Sequence, residues 1–538
     1  MATKLAFLDA LRAQTQALSS AQLIFATLAL VTTTYLVGYV VYQRYFHPLA
    51  KFPGPFCASI TNFWKVYELS TLALPTRMCA VHEKYGPVVR IGPDDLSFNI
   101  PQAIAPIYKV GRKMPKGIFY KGYVSTVPDI FSTRDENVSC ETPTPGWYVH
   151  RTLLTNEFNC QLHALRLKQI GPGLSVSALK HMEPVFDNHI DKLLQKLDGY
   201  VESGAVLDLK SALGLYGYDV TAQLAFDTDF KAQTTGELPP LNNHFLLGNI
   251  YGLLANLLPH IATWSAYLPQ VKALIQSRND LKKIAADSIR QSLETHNNET
   301  EPGTLLAALI NAKDPDSGKG LTENEINSEA FVFLVAGSHT TSSAMVALLF
   351  YIHQNPKVLA RVRAELDSAI PGQQRTPYEF TGLETNLPYI LACIRESFRM
   401  SPTAALLLPH EVINPAGTMI GDYHVPLGAN CSILSTCLHH NPDVWGSDHN
   451  QFDPDRFLPG SARYSSSNPN MLFHFGQGNR QCAGRNIALM SIWKVVVTVM
   501  KNYDIELVNP NEEFVMLEYG VGDKKGPMNV RVKRRIVS

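Results

Sequence analysis

The chain has 538 residues, of which 45% are hydrophobic and 17% charged. Its 47 basic residues balance 47 acidic ones, which argues against a nucleic-acid or other polyanionic partner. The eight cysteines include no C-x-x-C pair, so neither a zinc site nor a small disulfide framework is expected, and seven of them read as reduced, buried small side chains.

In chain order, residues 1–20 form an N-terminal segment. Residues 21–42, AQLIFATLALVTTTYLVGYVVY, carry no charge and are long enough to cross a bilayer, which takes about 20 apolar residues. Gln43, Arg44 and Tyr45 follow as a basic and aromatic interface anchor, which places the body on the cytosolic side. Residues 43–56 include HPLAKFPGP, whose prolines stiffen the exit into a hinge. Residues 57–538 are read as one domain, with no linker to cut at. VVRIGPDDLSF at 88–98 predicts a short hairpin. Residues 136–160 fit no periodicity and are read as an inserted loop. The sequons at Asn137 and Asn298 would matter only in a secretory lumen.

From about 175 to 370 the pattern is helical. Thr322-Glu-Asn-Glu325 is a capping box that opens a helix of about 30 residues. Its apolar run, 330–352, is broken by the polar patch Gly337 to Ser343, and Asn355–Pro356 ends it. A helix starting near Pro388 follows. After Met400 the chain turns to short strands and loops. A last helix over 486–502 precedes a C-terminal hairpin. The fold class expected is mainly α with small β-sheets.

The sharpest chemical feature is FGQGNRQCAG, Phe475 to Gly484. It places Cys482 in a glycine-rich turn just before a helix. A helix N-terminus and its free N–H groups favour a thiolate, and hydrogen bonds to sulfur tune an iron–thiolate bond. Gly478 and Gly484 allow close backbone approach. Arg480 supplies a cation suited to a propionate. Glycine-rich turns alone are common, so corroboration matters. Glu396 and Arg399, three apart on one helix, can pair, and Arg456 in DPDRF adds a second arginine. Taken alone such a pair is worth about 0–1 kcal/mol on a surface; the apolar neighbours Leu391, Ile394, Phe398 and Phe457 make a buried ion network the better reading.

These segments, in this order, resemble the cytochrome P-450 family. FGQGNRQCAG is similar to its haem-binding loop, ESFR to its Glu-x-x-Arg motif, and PDRF to the segment that closes its ion triad. FHPLAKFPGP, KYGPVVRIGPDDLSF and HHNPDVWG resemble fungal membrane-bound members. The resemblance implies the cytochrome P-450 fold over 57–538 behind one transmembrane helix. It implies haem b (iron protoporphyrin IX) with Cys482 as axial ligand, and a Glu396/Arg399/Arg456 triad.

AGSHTT, residues 336–341, matches the family's oxygen-activation motif except that His339 stands where an acid is usual. Thr340 would help deliver protons, and histidine can relay them near neutral pH. His410 matches a propionate-binding position. His163 resembles the start of another such segment, although Leu167 stands at the family's arginine.

The implied activity is O2-dependent oxidation, hydroxylation or epoxidation, of a small apolar substrate in fungal secondary metabolism. Electrons would come from NADPH–cytochrome P-450 reductase, with cytochrome b5 as an optional second donor, at the endoplasmic reticulum membrane. Arg166, Lys168, Arg480 and Arg485 are candidate contacts for the reductase. Two other readings stay open: a haem-thiolate isomerase, dehydratase or peroxygenase, and a non-catalytic haem or sterol binder.

Overall fold

The computed structural model describes residues 20–109, 114–134, 162–254, 264, 267–295, 303–314, 316–372, 374–404, 406–465 and 468–536. The inserted stretch 136–160 and both sequon asparagines lie outside the described residues. Helices of nine residues or more are numbered α1 to α11 here.

Helix α1, Ser20–Val41, continues as a π-turn over Tyr42–Phe46. Its apolar side chains are exposed, among them Phe25, Leu30 and Tyr35, so it stands clear of the body and is long and apolar enough to cross a membrane. Helical structure thus runs four residues into the stretch read as hinge. The reason is a strap: buried Arg90 donates to Gln43 O at 2.6 Å and to Gln43 Oε1 at 2.7 Å. Tyr39 donates to Ile60 O at 2.9 Å. The extended chain begins at His47.

The body is built on α8, Glu323–Gln354. The capping box forms as expected, with Glu325 N–H donating to Thr322 Oγ1 at 3.4 Å and Thr322 N–H to Glu325 Oε2 at 2.8 Å. At about 1.5 Å per residue this helix crosses the whole domain. It is apolar enough to span a bilayer, yet largely buried. Helix α5, Leu209–Phe226, packs against it; Gly217 permits the close approach, since a Cβ there would meet Ser338 O at 2.8 Å. The other long helices are α2 (Leu74–Tyr85), α3 (Leu162–Ile170), α4 (Val176–Ser203), α6 (Leu241–Leu254) and α7 (Pro269–Thr295). The series ends with α9 (Pro356–Ala369), α10 (Pro388–Met400) and α11 (Arg485–Asn502). Buried Leu, Ile, Val and Phe side chains from α4, α5, α8, α10 and α11 share one core.

The sheets are small. Strands β1 (Val88–Arg90) and β2 (Asp95–Phe98) make the expected hairpin, paired Val88↔Phe98. Strand β3 is Leu207–Asp208, β4 His410–Glu411, β5 Thr418–Ile420, β6 Tyr423–Val425 and β7 Asn430–Ile433. The first sheet has the order β1-β2-β7-β4, with β2 and β7 parallel. At the C-terminus β8 (Tyr503–Leu507) pairs antiparallel with β11 (Asn529–Arg534). Between them β9 (Met516–Glu518) and β10 (Gly522–Lys524) form a hairpin.

Candidate functional site

Cys482 sits between a short 3-10 turn, Gly478–Arg480, and α11, whose N-cap is Gly484. The loop is held by Cys482 N–H donating to Phe475 O at 2.8 Å. Gly478 has φ +73°, and a Cβ there would come within 1.9 Å of Tyr108 O, so only glycine closes this turn without displacing backbone. The sulfur receives the N–H groups of Gly484 and Arg485. Burial pushes the Cys482 thiol up, while those N–H groups and the Arg485 charge pull it down. Cys482 is exposed. A metal cation at that sulfur would displace the proton outright.

The ion network forms, and it is buried. Arg399 Nε and Nη2 donate to the Glu396 carboxylate at 2.8 Å each. Arg399 also donates to His439 O at 2.9 Å, His449 O at 2.6 Å and Gln451 O at 3.0 Å. Arg456 Nε lies 3.6 Å from Glu396, and its other nitrogens reach Trp445 O at 2.8 Å and Asp448 O at 2.9 Å. Asp453 N–H completes the Glu396 carboxylate at 2.9 Å. The network therefore pins α10 to the loop before the cysteine turn, and Phe398 from α10 stacks on His474 at 4.0 Å between ring centres. Phe475 packs edge-on against Phe398 at 5.4 Å.

His163 on α3 and His410 on β4 are both buried. Burial pushes His163 down to about 2, and the charges of Lys116 and Arg480 add to this. His410 is pushed down to about 3 by burial first and then chiefly by Lys116, with Arg480 a smaller contributor. Two cations and two neutral imidazoles thus converge. This is a set of donors suited to a pair of carboxylates, such as the propionates of a haem. Lys116 was not legible as a site residue; it is one lysine in a loop, placed by the Lys116↔His410 bridge and by its Nζ donating to Phe131 O at 2.6 Å.

Just before the polar gap of α8, Ala336 is exposed although it lies mid-helix. That exposure fits a helix face lining a cleft. Thr340 Oγ1 donates to Ala336 O at 2.6 Å, the back-bond expected of a helical threonine. His339 Nε2 is buried and has no hydrogen-bond partner among the described residues. Burial lowers its pKa, and the charges acting on it are those of Asp523 and Lys210.

One expected surface contact is corrected. Arg166 is 2% exposed, paired with Glu325 and, at 3.4 Å, with Glu329. It ties α3 to α8 and is not available to a docking partner. Lys168 is exposed and Arg485 is too. Among the other described cysteines Cys393, Cys431 and Cys437 are buried, Cys79 half-buried and Cys57 exposed; Cys140 and Cys160 lie outside the described residues.

The body is built on one long buried helix with a polar gap, flanked by small sheets, with a cysteine at a helix N-terminus. A family model described as Cytochrome P450 matches residues 53–527, and the chain belongs to that family. It is 26% identical to the Cytochrome P450 monooxygenase gsfF of Penicillium aethiopicum, over 91% of this chain and 95% of that one. It is 29% identical to the Cytochrome P450 monooxygenase cicH of Emericella nidulans, over 87% and 90%. Pisatin demethylase of Fusarium vanettenii is 26% identical, over 90% and 92%. Family membership brings a haem-iron cofactor, monooxygenase chemistry and a redox partner.

Proposed function

We propose that this protein is a membrane-anchored haem b monooxygenase that hydroxylates or epoxidises a small, largely apolar substrate in fungal secondary metabolism. The observation that carries the reading is the Cys482 sulfur, set at the N-terminus of α11 and supplied with the N–H groups of Gly484 and Arg485. Residues 1–20 precede the anchor 21–42, the segment 43–56 connects it, and 57–538 is the catalytic domain. The body faces the cytosol at the endoplasmic reticulum, where NADPH–cytochrome P-450 reductase and cytochrome b5 are accessible.

Cys482 would hold the haem iron through its thiolate. Arg480, His410, His163 and Lys116 would hold the propionates, and Phe475, Gly478 and Gly484 would shape the loop that receives the haem. Glu396, Arg399 and Arg456 fix the loop's position. When bound, the haem iron activates O2 so that one oxygen atom enters a C–H or C=C bond of the substrate. The Thr340 hydroxyl holds a proton beside the α8 gap; rotating it off Ala336 O presents that proton to the cleft. His339, neutral by burial, can accept or pass a proton at Nε2.

The test is product formation by the full-length protein with reductase and NADPH under 18O2, screened against small, largely apolar fungal metabolites. One labelled oxygen per product molecule, absent in Cys482→Ala, is expected. A product carrying no label from O2 would assign the isomerase, dehydratase or peroxygenase reading instead.

A further inference from the structure

Helix α2 and the short helix Ser435–His439 pack against each other, and each brings one cysteine to the contact. Cys79 Sγ–H donates to Cys437 Sγ at 2.8 Å, and Cys437 Sγ–H donates to Pro75 O at 3.8 Å. Both thiols are free. This is the one pair of cysteines in contact among the described residues. The two differ in access: Cys437 is 2% exposed, whereas Cys79 is half-buried. A buried cysteine is ordinarily an inert packing group, and Cys393 and Cys431, both buried, are of that kind. A sulfur held against a second sulfur by two packed helices is different. From this contact a bond of about 2.05 Å needs only side-chain movement.

The pair sits behind the cysteine loop. His439, at the end of the same short helix, accepts Arg399 Nη1–H on its carbonyl at 2.9 Å and Phe473 N–H on its Nε2 at 2.8 Å. Phe473 lies two residues before Phe475, whose carbonyl accepts the Cys482 N–H at 2.8 Å. The helix that carries Cys437 therefore supports both the ion network and the stretch of chain that enters the Cys482 turn.

We propose that Cys79 and Cys437 are a reversible disulfide site, closed by a peroxide, that fastens α2 to this support. The Cys79 sulfur attacks one peroxide oxygen; an S–O bond forms, the O–O bond breaks, and the second oxygen leaves as water with the thiol proton. The Cys437 sulfur then attacks the Cys79 sulfur; the S–S bond forms, the S–O bond breaks, and the hydroxyl leaves as water with the Cys437 proton. The two thiols give up two electrons, and one peroxide is reduced to two waters. Burial first, then the neighbouring Cys79 sulfur and Glu83, hold the Cys437 thiol well above its ordinary range. The first step therefore belongs to the more accessible Cys79. The bond closes a loop between positions 358 apart, and a long loop gains most from a cross-link because its unfolded chain loses most freedom. In a reducing cytosol such a bond is transient and follows the redox state.

Full-length haem-loaded wild type, Cys79→Ser and Cys437→Ala are treated with hydrogen peroxide while imidazole occupies the iron. Remaining thiols are alkylated in denaturant, and peptides are mapped by mass spectrometry. In wild type Cys79 and Cys437 should be lost together and recovered as one joined peptide pair, and dithiothreitol should restore both. Cys437→Ala should instead trap dimedone at Cys79, and Cys79→Ser should leave Cys437 reduced. Oxidised wild type should keep its haem absorbance to a temperature at least about 2 °C higher than the reduced protein, and neither variant should shift. A wild type in which the two cysteines stay reduced, or in which Cys79 is joined to a different cysteine, overturns the site. A joined pair with an unchanged or lowered melting temperature overturns its fastening role.

Discussion

At the residue scale the decisive contrast is between Cys482 and the other cysteines. Burial raises the thiols of Cys393, Cys431 and Cys437, and the helix N–H groups that oppose burial act on Cys482. Thr340 is the second test case. Replacing it with Ala removes a back-bond within one helix, so folding is little affected. NADPH consumption should then continue while product per NADPH falls, by roughly 10²-fold if the hydroxyl acts as a general acid. Measured product yield per NADPH in Thr340→Ala checks this; an unchanged yield would remove Thr340 from proton delivery. Cys482, Thr340 and the Glu396/Arg399 pair were legible because each signal is local, carried by spacings of a few residues. Lys116 was not, because its place arises from contact with β4, hundreds of residues away in the chain. Arg166 was misread for the opposite reason. Its sequence neighbours look like a surface, and its partners Glu325 and Glu329 lie on α8.

At the scale of elements, the ion network joins α10 to the segment 439–456 that precedes the cysteine loop. Arg456→Ala leaves the buried Glu396 carboxylate short of a cation and should destabilise the fold by about 3–5 kcal/mol. Denaturant unfolding would measure the loss, and a change below about 1 kcal/mol would mean the network is dispensable. Asp448 extends the same network. Its carboxyl is pulled down to about 2 by the hydrogen bonds from Arg456 and Arg463. A carboxylate held below its unfolded value of 3.8 stabilises the fold above that pH, and the contribution is lost as pH falls through about 2. Thermal stability should therefore decline from about pH 4 to about pH 2, and Asp448→Asn should flatten that part of the profile. Identical acid profiles for the two proteins would contradict this. Element boundaries were legible where chemistry marks them: the Thr322 capping box and Pro356 delimit α8, and Pro388 starts α10. The hinge start was not, because a tertiary strap from Arg90 to Gln43 carries helical structure to Phe46.

At the scale of the whole molecule, one exposed apolar helix stands against a body that buries a long apolar helix of its own. The exposed aromatic residues Phe46, Phe56, Phe63, Trp264 and Tyr267 give the body further apolar surface. Full-length protein should resist alkaline carbonate extraction from membranes. A variant lacking residues 1–37 should be extracted, its remaining contact being peripheral. Persistence of that variant in the membrane pellet would place the anchor elsewhere. The central claim, that Cys482 binds haem iron through its sulfur, is tested most directly by the absorption spectrum of the reduced, carbon-monoxide-bound protein. Wild type should show the long-wavelength Soret band of thiolate-ligated haem, and Cys482→Ala should lose it while the chain stays folded. A wild type without that band, or a Cys482→Ala protein that keeps it, would contradict the account.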